Sequence, residues 1–390
     1  MQDAPPLSIY LHFPWCVRKC PYCDFNSHPL QSDLPEDAYL EAMRLDLEAA
    51  LARDEGLATR EVGSVFMGGG TPSLFSPAAL RRLMEFIRAH LPLARDAEIT
   101  LEANPGTLRE ELAEEKLIAL GAAGINRLSL GIQSFNANSL AALGRVHNHE
   151  EALRAAHLAV RHFPRVNLDL MYGLPGQTFA DTLEDLKIAL ESGATHLSCY
   201  QLGIEPHTRF AVSPPPDLPD PDQCADMGEA IEARLAAAGF QHYEISAFAR
   251  PGFACRHNLN YWQFGDYLGL GAGAHSKLTA PPGVFRVFRQ TRWQKPEVFM
   301  RKAKEGGAVE TEAPVSPDEL PVEFLMNALR LTEGVPAPLF TARTGQPLEA
   351  IMPRLACART DGLLAPTSDR IAPTRAGRRF LNRLLARFLP

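Results

Sequence analysis

The sequence predicts an α/β fold, a partial (β/α)6 TIM-like barrel followed by a small helical, winged-helix-like C-terminal domain. Three observations predict it. Short β-rich runs alternate with amphipathic helical stretches through the first 240 residues, which implies parallel pairing and right-handed crossovers. The polar and glycine-rich motifs fall at or just after the C-terminal ends of those runs, where barrel sites are built, and this favours a barrel over a doubly wound sheet. Past a boundary at Glu305 to Pro317, rich in Gly, Glu and Pro, helical sequence and a hairpin take over.

The units follow in order. Ser8–Phe13 is the first strand, and Pro35–Asp54 reads as its helix. Ser64–Met67 leads to a helix at Pro77–His90, Glu98–Leu101 to Leu108–Ala122, and Asn126–Ile132 to one long helical stretch, Asn138–His162. Val166–Met171 precedes Phe179–Glu191. His196–Leu202 is the sixth strand, joined by the Pro-rich segment Ser213–Pro221 to a helix ending at Ala238. Gly239–Lys277 is rich in Gly and aromatics and carries no clear period. In the last part, Glu319–Leu331 and Pro347–Thr360 read as helices, Gly362–Pro373 as a hairpin and Arg375–Leu389 as a final helix. The expected division is residues 1–240 for the barrel, 241–310 for an extension of it, and 311–390 for the C-terminal domain.

With 390 residues, 46% of them hydrophobic, the chain can bury one large core and one small one. A net charge of -7 argues against a general binder of nucleic acid or anionic membranes, which would favour excess Lys and Arg. Met1–Leu7 has neither a basic nor an apolar signal region, and no apolar run approaches the ~20 residues of a spanning helix, so a cytoplasmic protein is expected. Seven cysteines are an odd number, and three fall within eight residues, a pattern closer to metal ligation than to a disulfide framework.

Those three, Cys16, Cys20 and Cys23, sit in one loop after the first strand. Three close thiolates suit three irons of a [4Fe–4S] cluster, leaving the fourth iron for an exogenous ligand. The amino and carboxylate groups of S-adenosylmethionine (SAM) are such a ligand, and an electron from the cluster could then cleave a sulfonium C–S bond. The competing reading is a zinc site completed by His12 or His28, against which stands the absence of a second, separated cysteine pair. Gly68-Gly-Gly-Thr-Pro72 follows the second strand, and its glycines let backbone approach a charged amino-acid moiety. Glu102, Gln133 and Asp169 lie at successive strand ends, where a carboxylate, an amide and a carboxylate could bond a ribose and an ammonium. Arg145 could pair with a carboxylate, although a solvated helix surface is the plainer reading.

These residues carry a resemblance. The motifs Tyr10-Leu-His-Phe-Pro-Trp-Cys16, Gly68–Pro72, Ser129-Leu-Gly-Ile-Gln-Ser134 and Asp169-Leu-Met-Tyr-Gly-Leu-Pro-Gly-Gln177 resemble the HemN-like radical SAM family over nearly the whole chain. The branch it is most similar to is that of the heme chaperones. The resemblance implies a [4Fe–4S] cluster on Cys16, Cys20 and Cys23. It implies SAM contacts at Tyr10, Phe25, Gly69, Gly70, Thr71, Glu102, Gln133, Arg145 and Asp169, with Gly203 a weaker candidate. It further implies heme as ligand and heme-accepting respiratory proteins as partners, leaving open a homodimer and a membrane contact made through an acceptor. One departure separates the branches: the oxygen-independent coproporphyrinogen III oxidases carry a fourth cysteine two positions after the third, where this chain has Phe25. His257-Asn-Leu-Asn-Tyr-Trp262 matches the HNxxYW motif, and the resemblance makes His257 the candidate heme ligand, with Cys255 nearby. A hydrogen-bonded packing histidine is the alternative. Gly269–His275 lacks the spacing of a dinucleotide loop. The last helix sets five arginines, Arg375 to Arg387, opposite Phe380, Leu381, Leu384, Leu385 and Phe388, and capping of its own domain is its simplest role.

Overall fold

The computed structural model describes residues 4–108, 112–280 and 285–389. Six parallel strands form the expected partial barrel: β1 (Leu7–Phe13), β2 (Val62–Gly69), β3 (Leu93–Ala103), β4 (Arg127–Gln133), β5 (Arg165–Tyr172) and β6 (His196–Gln201). The helices between them are α1 (Glu36–Arg53), α2 (Pro77–His90), α3 (Ala113–Ala122), α4 (Ala137–Ala142), α5 (His149–His162) and α6 (Phe179–Glu191), with α7 (Pro221–Ala237) after β6. The expected start of α3, residues 109–111, lies outside the described residues.

The segment without a period turns out to extend the same sheet. β7 (Gln241–Glu244) and β8 (Ala247–Ala249) form a hairpin whose second strand pairs antiparallel with β6. The chain then crosses the barrel as α8 (Arg256–Trp262) and returns as β9 (Asp266–Leu270), parallel to β1. Three antiparallel strands, β10 (His275–Thr279), β11 (Val287–Arg292) and β12 (Val309–Pro314), complete a twelve-stranded sheet in the order β12-β11-β10-β9-β1-β2-β3-β4-β5-β6-β8-β7.

This sheet does not close on itself, and the C-terminal domain bridges its two ends. At one end the amide of Ile245 donates to the Arg330 carbonyl (3.1 Å). At the other, Arg289 of β11 pairs with Glu323 (2.6 Å). Between them Arg330 lies over the Trp262 ring, 4.7 Å from its centroid. The domain has helices at Leu320–Ala328, Pro338–Thr344 and Met352–Thr360, a ribbon of Val335–Pro336 with Arg370–Ile371, and its own apolar core around Phe324 and Phe340.

Strand alternation divides the chemistry between the two faces of the barrel wall. Leu7, Ile9 and Leu11 of β1, Val65 and Met67 of β2, and Leu128 and Leu130 of β4 join the large core beneath the helices. The opposite face is mostly polar, and the register lines it up in rows, Ser8 beside Ser64 and Glu102 beside Ser129, with Ser129 beside Asn167.

Three expected helices are broken, and one of them, Pro347–Thr360, becomes a 3-10 turn at Leu348–Ala350 followed by a helix at Met352–Thr360. The stretch Asn138–His162 splits into α4 and α5: α4 ends where Gly144 takes a left-handed φ of 65°, and α5 starts on a capping box of Asn148 and Glu151. The final helix is interrupted at Phe380, giving Arg375–Arg379 and Leu381–Leu385. The kink leaves Phe380 55% exposed rather than on the buried side with Leu384 and Phe388. Arg375 and Arg379 reach Glu229 of α7, while Arg387 reaches Asp361 (2.6 Å), so these arginines tie the helices to the barrel as well as to their own domain.

Candidate functional site

At the C-terminal ends of β1 to β6 lies a cavity with about 920 Å³ of empty space, open solvent at its mouth included. Its wall brings together Cys16, Cys20, Cys23, Phe25, Gly69, Gly70, Thr71, Glu102, Gln133, Arg145 and Asp169. Of the residues expected around SAM, Tyr10 is not in that wall. It lies one layer deeper on β1, its hydroxyl 3.1 Å from His12 Nδ1 and its ring stacked on Phe66 at 6.3 Å. Gly203 is not in the wall either.

The cysteine loop is tied to the barrel at several points. Trp15–Cys16 pairs with His28–Pro29, Thr71 Oγ1 donates to Cys16 Sγ (3.4 Å), and Arg145 Nη1 donates to Cys20 Sγ (3.5 Å). Burial, with Cys23 and Cys20 as neighbours, pushes the Cys16 thiol up, and the Thr71 hydroxyl partly opposes this. Three crowded thiols of this kind suit a cationic cluster, which would relieve the crowding once they are deprotonated. The histidines that a zinc site would need are otherwise engaged. His12 Nε2 lies 2.8 Å from the Asn26 carbonyl and His28 Nε2 3.1 Å from Asn26 Oδ1. Burial lowers His12 to about 4. Among the described residues no group of three or more His, Cys, Asp or Glu side chains is placed to hold a metal ion on its own. The donor set therefore fits a cluster spread over three sulfurs better than a mononuclear ion. Phe25, where the oxidases have their fourth cysteine, stands 62% exposed at the mouth.

Glycine is required beside this loop. A Cβ on Gly70 would fall 2.6 Å from the Trp15 carbonyl oxygen and 2.8 Å from that of Phe13. One on Gly69, at a φ of 111°, would strike the His12 ring at 2.5 Å. The close approach lets Gly70 N–H bond the Phe13 carbonyl (2.7 Å) and Thr71 N–H that of Trp15 (2.8 Å), which seats the cysteine loop on β2.

Two carboxyls occupy the floor. Glu102 Oε2 accepts from the Gly69 amide (3.1 Å), and burial, reinforced by Asp169, raises Glu102 to about 8. Asp169 accepts from Asn167 Nδ2 (2.8 Å) and Ser129 Oγ (3.4 Å), and burial raises it too. Such a pair favours a cationic ligand. Arg145 arrives on the loop between α4 and α5. Its Nη2 donates to the Gly131 carbonyl (2.6 Å), while its Nε is buried with no partner. Ser129, Asn104 and Tyr200 also line the cavity. Sequence reading missed them, although the alternation in Arg127-Leu-Ser-Leu-Gly-Ile-Gln and His196-Leu-Ser-Cys-Tyr puts Ser129 and Tyr200 on the polar face.

His257 does not line this cavity. It is 4% exposed inside the barrel, its ring stacked on Phe66 (4.9 Å) and packed on Tyr261 (4.8 Å), with Nδ1 3.4 Å from Ser64 Oγ. Burial, followed by the charge of Arg127, lowers it to about 3. Placed there, it has the buried, hydrogen-bonded setting of the packing histidine that the sequence also allows. Cys255 is buried likewise, its Sγ 3.5 Å from Glu98 Oε1.

Residues 10–189 match the model of the radical SAM superfamily and residues 315–380 that of the HemN C-terminal domain. The heme chaperone HemW of Escherichia coli is 48% identical over 393 residues, covering all of both chains. The chain belongs to the HemW family. The HemW of Mycobacterium tuberculosis H37Rv is 38% identical over 96% of this chain and 92% of its own. Among solved structures, coproporphyrinogen III oxidase (HemN) from Escherichia coli superimposes with a TM-score of 0.80 at 25% identity, covering 99% of this chain and 90% of that one. HemW and HemN thus share the barrel and the C-terminal domain. No helix among the described residues is long and apolar enough to cross a membrane.

Proposed function

We propose that the chain is a heme chaperone, one that binds heme and passes it to acceptor hemoproteins, respiratory ones among them, in the cytoplasm. Its site would carry a [4Fe–4S] cluster on Cys16, Cys20 and Cys23, with SAM beside it. The observation that carries this reading is identity of 48% with a heme chaperone along the entire chain, joined to Phe25 at the oxidases' fourth-cysteine position. Bound together, cluster and SAM supply one-electron chemistry at the sulfonium. For this chain's residues the reading gives definite tasks. Glu102 and Asp169 hold the positive charge of the nucleotide, Gly69 to Thr71 shape the floor beside the cysteine loop, and Arg145 braces Cys20 against β4.

Likeness to the oxidase fold supports a second reading, oxygen-independent coproporphyrinogen III oxidation. Protein with its cluster reconstituted anaerobically, given SAM, reductant and coproporphyrinogen III, separates the two. No protoporphyrinogen IX is expected, and turnover would overturn the chaperone reading. In parallel, heme titration should give a saturable Soret band, and loaded protein should transfer heme to an apo-hemoprotein. Absence of both would also refute it.

A further inference from the structure

We propose that Tyr200 is a positioning residue that decides which edge of the Gln133 amide faces the cavity. The inference rests on the reading that the cavity takes SAM. The Tyr200 hydroxyl donates to Gln133 Oε1 at 2.7 Å, and both side chains line the wall. Tyr200 stands on β6 and Gln133 on β4, so the bond passes over the intervening β5.

Gln133 ends its strand with a φ of 71°, left-handed backbone that a non-glycine residue adopts only under strain. The β4–β5 register slips between Leu130 and Gln133 at the same place. A strained residue aimed into a cavity gains from being locked there, and an amide is hard to lock. Its terminal torsion is broad and roughly two-fold, so either edge can point outward. With Oε1 held by Tyr200, the Nε2 edge remains as a donor.

What that donor meets is set by its neighbours. Gln133 Nε2 and Arg145 Nη2 both pack against the backbone of Gly131, 3.2 and 3.3 Å from where a Cβ on it would sit, so the two donors share one stretch of the wall. Donor groups side by side on that wall suit a hydrogen-bond acceptor on the ligand, a carboxylate or hydroxyl oxygen, whereas the Glu102 and Asp169 side takes the positive groups. Tyr200 thereby sorts the donor wall of the cavity from its acceptor wall by acting through Gln133. Removing the hydroxyl frees the amide to present Oε1 to an acceptor, which repels it.

The test is anaerobic calorimetry of SAM binding to the cluster-loaded protein. Tyr200→Phe should weaken binding about fivefold, the worth of one net hydrogen bond. Gln133→Ala should weaken it at least as much, and the double variant no further than Gln133→Ala alone. Gln133→Glu keeps an acceptor for Tyr200 but loses the donor, so it should weaken binding as Gln133→Ala does, and it serves if Tyr200→Phe fails to fold. Unchanged affinity in Tyr200→Phe, additive losses in the double variant, or full affinity in Gln133→Glu would each overturn the inference alone. A wild-type protein that ignores SAM would overturn the SAM reading and this inference with it.

Discussion

Glu102 should make SAM binding depend on pH in a calculable way. Burial and the neighbouring Asp169 raise its pKa to about 8, so at pH 7 roughly nine-tenths of the molecules carry it protonated. A ligand with a sulfonium and an ammonium binds the carboxylate form, which must release its proton first. Affinity should therefore rise about tenfold from pH 7 to pH 9, and close to one proton should leave per SAM bound at pH 7. Folding carries the opposite sign. Because the folded pKa lies above the unfolded one, the unfolded chain ionises first, and this group's stabilising contribution is present below pH ~4.5 and lost as pH rises to about 8. Calorimetry in buffers of different ionisation heat counts the proton, and urea melts of the ligand-free protein follow the stability. Glu102→Gln should remove both dependences beyond whatever SAM's own amine contributes. If wild type and Glu102→Gln share the same slope and release the same number of protons, burial does not hold this proton and the reasoning fails.

Three further outcomes are expected. Gly70→Ala drives a methyl into two backbone carbonyls and should cost about 2–4 kcal/mol in urea unfolding, together with most of the bound iron; a loss under 0.5 kcal/mol would contradict the packing. Alanine at Cys16, Cys20 or Cys23 should each abolish the brown iron–sulfur absorbance on reconstitution, while alanine at exposed Cys357 leaves it intact. His257→Ala should lower stability by about 2–3 kcal/mol yet leave the heme-titration spectrum unchanged, and a lost Soret band would make His257 the heme ligand instead.

The parts of the molecule legible in the sequence were those fixed by short-range pattern. The cysteine loop needs only its own spacing, and the six barrel strands announce themselves by β-rich runs set between helical periods. Two local signals went unread. Gly144, and Asn148 with Glu151 three residues later, mark the stop and start that break the long helix, and the loop they create delivers Arg145 to Cys20. The alternation of Ser8, Tyr10 and His12 with Leu7, Ile9 and Leu11 likewise reports a polar inner face. Other features were beyond local reading. The pairing of Asp266–Leu270 with Leu7–Leu11 joins opposite ends of the barrel region, and nothing near either segment specifies it.

That distant pairing gives the HNxxYW segment a task at the site without any contact to it. The barrel interior is mostly polar, which is tolerable only if every opening is either used or sealed. SAM would use the upper opening. At the lower one α8 lies across β2, its first amide, from Arg256, donating to Glu98 Oε1 (2.9 Å), while His257 and Tyr10 stack into a ring layer with Phe66. Asn260 Nδ2 holds the carbonyl of Asp266 (2.8 Å), and Trp262 carries Arg330 of the C-terminal domain. The motif is thus a plug anchored on three sides. Water admitted from below would solvate Glu98 and Asn167 and, through Asn167, reach Asp169. The burial that raises Glu102 would weaken with it. The distance between the motif and the cavity is therefore no argument against its importance to SAM binding, because the low dielectric around the two carboxyls is maintained from the far end of the barrel.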